Sequence, residues 1–115
     1  VWLTVVSSRP GEQGHVEADE ADRLTATRKA GPTAVLLDPK GQLGRLYEAR
    51  TTPHMFVIDG AGTLIYMGAI DDRPTASHSS VKGARNYVRE ALDAAAGGRP
   101  VAVASTRPYG CSVKY

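Results

Sequence analysis

Apolar and β-branched positions open the chain, and residues 1–6 read as a strand with almost no polar break. A loop rich in Ser, Pro and Gly follows over residues 7–14. Residues 16–30 carry a helical pattern, with acidic side chains in the first turn where the helix dipole favours them. The apolar face of that helix is thin: Val16, Ala21, Leu24 and Ala26 or Thr27. It is expected on a surface, ended by Gly31 and Pro32. Residues 33–38 form a second strand, apolar enough to be expected under cover on both faces. After a turn at Pro39, Lys40 and Gly41, residues 42–48 predict a short helix with Leu43, Leu46 and Tyr47 on one side.

The clearest pattern comes next. Two apolar runs, 55–59 and 63–70, are joined by Asp59-Gly60-Ala61-Gly62, which predicts a β-hairpin. A polar loop over 71–80 contains Pro74, and Ser79 or Ser80 is expected to cap a third helix. There Val81, Ala84, Val88, Ala91, Leu92 and Ala95 recur at helical spacing until Gly97 and Gly98 stop it. Residues 99–115 read as a tail with a short alternation at 101–104. The order strand, helix, strand, helix, hairpin, helix predicts an α/β domain over 1–98 with parallel strands and an antiparallel pair at one side.

Composition narrows the function classes. The chain has 115 residues, a net charge of +2 and 42% hydrophobic residues. One domain fits that length, and it can bury roughly two-thirds of its unfolded surface without a metal or disulfide scaffold. The small net charge and scattered Lys and Arg give no footprint for nucleic acid. No apolar run approaches the roughly 18 residues of a membrane span, and the opening residues do not read as a signal peptide. A single cysteine excludes an internal disulfide, a zinc site built on four cysteines and a C-x-x-C pair. Arg outnumbers Lys, as in proteins of GC-rich bacteria, and a bacterial cytoplasmic location is expected. A chain that begins inside a strand, at Val1 and not Met, reads as one that has lost what came before, or as one shorn of a tag or disordered lead.

Three strings and the tail, in this order, carry a resemblance: Val35-Leu36-Leu37-Asp38-Pro39-Lys40-Gly41; Tyr47 through Thr52-Pro53-His54-Met55-Phe56-Val57-Ile58-Asp59; Gly62 through Asp71-Asp72; and Arg107-Pro108-Tyr109-Gly110-Cys111-Ser112-Val113-Lys114-Tyr115. Together they resemble the C-terminal part of a thioredoxin-like domain, more narrowly the redoxin branch of alkyl hydroperoxide reductase and thiol-specific antioxidant proteins. The resemblance implies a cis Pro53 and a Thr52 backbone that pairs with bound substrate, with His54 on the same side. It also implies thiol-disulfide exchange or thiol-dependent hydroperoxide reduction. The catalytic cysteine of that family opens the first long helix, where the helix N-terminus lowers a thiol pKa. That helix, and the central strand before it, have no counterpart in residues 1–115. Without them the sheet is expected to be incomplete: closed by direct pairing, filled by residues 101–104, completed by a second copy in a homodimer, or only partly ordered. The chain alone is expected to show little or no turnover. The alternative is a non-catalytic thioredoxin-like module that binds a protein or small molecule.

Cys111 is the one side chain with thiol chemistry. It reads as a resolving thiol for an oxidised cysteine, with Lys114 nearby to favour the thiolate, or as an incidental free cysteine. A thiol or disulfide protein partner goes with the first reading. His15, His54 and His78 lack metal-ligand spacing and read as surface or loop histidines, although His54 has the place to tune a thiolate. Asp71 and Asp72 read as a solvated loop, Asp38 and Asp59 as turn formers. No metal or other cofactor is expected. Trp2 and Phe56 are expected in the core.

Overall fold

A computed structural model describes every residue of the chain except Ala76, His78 and Ser80. The chain divides into two compact units, residues 1–49 with 113–115, and residues 50–112. Both mix helix with small sheets, so the protein is α/β.

The first unit holds β1 (Leu3–Val6), α1 (Ala18–Thr27), β2 (Ala34–Leu37) and α2 (Gln42–Leu46). β1 and β2 run parallel, with Leu3 opposite Ala34 and Val6 opposite Leu37. Helix α1 ends before Gly31. The Ala30 amide donates to Thr25 O and the Lys29 amide to Ala26 O, with Lys29 at φ 51°. That is a Schellman stop, in which Lys29 takes the left-handed place that glycine usually fills. Glu48, at φ 57°, ends α2 in the same way.

α1 is a surface helix as its thin face predicts, and Ala21 is its only buried residue. Leu36 and Leu37 of β2 are exposed, as are Leu3 and Val5 of β1, so β2 is not covered on both faces. Trp2 is 54% exposed and is not a core residue. Polar contacts do more of the tying in this unit. The buried Asp38 carboxylate accepts the Ser7 hydroxyl at 2.8 Å and the Gly44 amide at 2.9 Å. Burial pushes this carboxyl's pKa up, but the amides of Gly44, Leu43 and Gln42 and the Ser7 hydroxyl outweigh it and hold it below the ordinary value. At the chain end the Lys114 carbonyl accepts from the Arg9 amide at 2.8 Å. The Tyr115 hydroxyl donates to Ala49 O, while Arg45 lies over its ring at 4.7 Å.

The second unit holds β3 (Thr51–Thr52), β4 (Met55–Ile58), β5 (Leu64–Gly68), α3 (Tyr87–Ala96) and β6 (Cys111–Ser112). The expected hairpin is present as β4 and β5, with Val57 opposite Tyr66 and a bulge between Val57 and Ile58. Its turn is built by Asp59, whose carboxylate accepts the amides of Ala61 and Thr63. Helix α3 packs on the hairpin around buried Val57, Tyr66 and Ala91, with Met55, Ile65, Tyr87, Val88 and Val101 against them. Phe56 is half-buried.

Two expectations change here. The third helix starts at Tyr87, so Val81 and Ala84 precede it and Val81 is 62% exposed. Asn86 is the cap, its side chain accepting the Arg89 amide at 2.8 Å. Ser79 lies in the preceding loop, and Ser80 falls outside the described residues. Second, residues 101–104 fill no central position. Met67 of β5 receives the tail instead: its amide donates to Ala104 O, and its carbonyl accepts from the Thr106 amide. Gly68, at φ 142°, makes this approach possible, because a Cβ there would overlap Thr106. Among the described residues β1 pairs with β2 alone and β4 with β5 alone.

Candidate functional site

The short strand β3 is where the candidate residues meet. It pairs antiparallel with β6, Thr51 opposite Ser112 and Thr52 opposite Cys111. The Thr52–Pro53 peptide bond is cis. Thr51 Oγ1 donates to Pro53 O at 2.8 Å and closes the bend between β3 and β4. Cys111 is exposed, with its thiol free. Two candidates named from the sequence, Thr52 and Cys111, are therefore register partners, although 59 positions separate them (111 − 52).

What brings the tail to β3 is a chain of anchors just before it. The buried Tyr66 hydroxyl donates to Ala69 O at 2.5 Å and lies 2.6 Å from Thr106 Oγ1. Thr106 Oγ1 in turn accepts the Ala69 amide at 2.9 Å. Pro108 is buried. The Tyr109 hydroxyl donates to the Asp71 carboxylate at 2.5 Å, a hydrogen bond that with burial pushes its pKa up to about 12. Gly110, at φ 141°, then lies so close to β3 that a Cβ would overlap the Thr52 carbonyl and meet Pro53 Cδ at 3.2 Å. Sequence places residues 99–115 in a tail and offers only 101–104 to the sheet; the glycine before Cys111 is the one local sign of the contact with Thr52.

His54 is placed differently from Thr52. Its Nδ1 accepts the Arg50 amide at 3.1 Å, and its ring stacks on Phe56 at 4.5 Å. Burial, then the Arg50 charge, lowers its pKa below 6.5. A lowered pKa favours the neutral ring. His15 has the opposite character. It contacts Glu17 at 2.8 Å and Ser8 O at 3.0 Å, and the Glu17 bond raises its pKa. His78 lies outside the described residues.

Asp71 and Asp72 are engaged by the protein's own donors. Asp71 takes the Arg73 amide and Tyr109; Asp72 takes the Arg85 amide. Among the described residues no three His, Cys, Asp or Glu side chains gather into a metal-binding group.

Two solved structures share this fold. A hypothetical protein from Sinorhizobium meliloti superposes with a TM-score of 0.76 at 24% identity, covering 98% of this chain and 60% of that one. An uncharacterized conserved protein from Geobacillus kaustophilus gives 0.73 at 21% identity, covering 98% and 58%. The chain thus spans about three-fifths of the length of these neighbours. No family model matches the chain, and no curated protein does. Among the described residues no helix is long and apolar enough to cross a membrane.

Proposed function

We propose that this chain is the substrate-facing part of a redoxin-type thiol oxidoreductase with a thioredoxin-like fold, whose nucleophilic cysteine comes from residues outside these 115. The observation that carries the reading is the β3–β6 pairing, which lays the exposed Cys111 opposite Thr52, next to Pro53. The strand–helix–strand–helix–hairpin–helix order supports the same fold, as does the pairing among the described residues of β1 with β2 alone and of β4 with β5 alone.

In this reading an upstream thiolate attacks a hydroperoxide. The O–O bond breaks as the S–O bond forms, the departing alkoxide or hydroxide takes a proton from solvent and leaves as alcohol or water, and the sulfur, now bearing the transferred OH, is a sulfenic acid. The Cys111 thiol then attacks the sulfenic sulfur. A disulfide forms, and water leaves with the thiol proton. An external dithiol reduces the disulfide and is itself oxidised. Thr52 and Pro53 shape the surface at which Cys111 arrives, and His54 braces the bend by accepting the Arg50 amide.

A dithiothreitol-coupled hydroperoxide assay tests this. The 115-residue chain shows no turnover, and the protein extended upstream through an in-frame strand and a cysteine-initiated helix shows it. Robust turnover by the 115 residues alone, surviving Cys111→Ser, overturns the reading.

A second reading, a non-catalytic thioredoxin-like binding module, is favoured by one feature. Leu3, Val5, Leu36 and Leu37 are exposed together on the first unit's sheet, an apolar surface of the kind that marks binding sites. An upstream sequence without cysteine selects this reading.

A further inference from the structure

We propose that His15 is a proton-operated clasp: its imidazolium ties the loop of residues 7–14 to the start of α1 and firms the hold on the chain end, and its neutral ring lets α1 go. The inference concerns conformation alone and needs no thiol chemistry.

Its basis is what faces the two ring nitrogens. Nδ1 lies 3.0 Å from Ser8 O, and Nε2 lies 2.8 Å from a Glu17 carboxylate oxygen. A carbonyl and a carboxylate only accept, so both contacts are hydrogen bonds only when both nitrogens carry protons. The neutral ring has one N–H for two acceptors, and the other contact then sets lone pair against lone pair. Glu17 is 83% exposed and has water to turn to, whereas Ser8 is buried. The Glu17 contact is therefore the one that opens. Glu17 stands at the N-cap of α1, and its side chain caps no helix amide there, so the ring is what ties it to the loop.

The second effect runs through one peptide group. Ser8 O accepts from the ring, and the Arg9 amide of the same group donates to Lys114 O at 2.8 Å. Hydrogen bonds at the two ends of one peptide group polarise each other, and a bond from a cation is stronger than one from a neutral donor. A proton on His15 thus strengthens the Arg9–Lys114 bond, one of those that seat residues 113–115 in the first unit.

The surroundings favour the charged ring. The Glu17 hydrogen bond, then the Ser8 carbonyl, outweigh burial and raise its pKa above 6.5, and the charges of Glu17 and Glu20 on α1 act in the same sense. On the loop, Arg9 and Glu12 pair with each other at 2.8 Å, and the chain end meets the loop through the Lys114 carbonyl. The clasp therefore opens as pH rises through the folded value of His15.

The test is NMR of the full chain across the His15 titration. Ring nitrogen shifts are expected to show both nitrogens protonated at acid pH and the Nδ1–H tautomer above the midpoint. Protection of the Arg9 amide against hydrogen exchange, corrected for the intrinsic effect of pH, is expected to fall about threefold or more with the same midpoint. Glu17→Gln is expected to move that midpoint to lower pH, with the Arg9 step following it. His15→Gln, which carries no titrating ring, is expected to lose the step. Arg9 protection that stays level while His15 titrates, a step left in place by Glu17→Gln, or an Nε2–H tautomer above the midpoint overturns the proposal.

Discussion

Tyr66 and Thr106 are forty residues apart in the chain and 2.6 Å apart in the fold, hydroxyl to hydroxyl. The Ala69 amide donates to Thr106, and Tyr66 donates to the Ala69 carbonyl. With Thr106 donating to Tyr66, the three bonds close a ring around a side chain that is fully buried. This ring holds the tail on the hairpin, and the approach of Gly110 to Thr52 depends on it.

Thr106→Val keeps the shape and deletes both roles of the hydroxyl. It leaves the buried Ala69 amide unpaired, so the expected loss of stability is about 1–3 kcal/mol. Tyr66→Phe leaves the Ala69 carbonyl in the same position and is expected to fall in the same range, roughly 1–3 kcal/mol. Urea denaturation followed by fluorescence checks both. A midpoint unchanged in either variant contradicts the ring.

Tyr109 gives a second check. Its pKa is pushed up to about 12, chiefly by the Asp71 hydrogen bond. The folded state therefore keeps a proton that the unfolded chain releases near 10. The bond's contribution is full below pH 10 and is lost as pH rises from 10 toward 12. Residue-specific carbon NMR of the phenol is expected to show titration falling back toward 10 in Asp71→Asn. Titration near 10 in the native chain speaks against the bond.

The two histidines should separate by pH. His54 is lowered by burial, so its contribution is full above pH 6.5 and is lost as pH falls from 6.5 through its folded value. His15 is raised by Glu17, so its contribution is full below 6.5 and is lost as pH rises through its folded value. Imidazole NMR is expected to place His15 above 6.5 and His54 below it, with Glu17→Gln bringing His15 down and leaving His54 in place. The reverse order contradicts both environments.

Local pattern was readable in the sequence where local chemistry decides. The hairpin followed from two apolar runs around a Gly-rich turn, and α1 was recognisable as a surface helix from its thin face. Helix ends were less so. Lys29 takes a left-handed place that no propensity assigns to it, and α3 is capped by Asn86, whose side chain accepts the Arg89 amide, not by Ser79. Trp2, Leu36 and Leu37 read as core because apolar residues usually are. They are exposed because, among the described residues, no helix packs closely on β1 and β2. At the candidate site Thr52, Pro53 and Cys111 were legible one by one. Their meeting was not, because it depends on Thr106, Pro108 and Tyr109 delivering the tail, and those contacts span 37 to 40 residues.

The most direct measurement is a disulfide map of the upstream-extended protein after one equivalent of hydroperoxide, by peptide mass spectrometry without reductant. A disulfide joining Cys111 to the cysteine at the start of the upstream helix, replaced in Cys111→Ser by a sulfenic or sulfinic acid on that cysteine, is the expected result. An oxidised upstream cysteine with Cys111 still a free thiol in the native protein contradicts the role of Cys111 and the reading built on it.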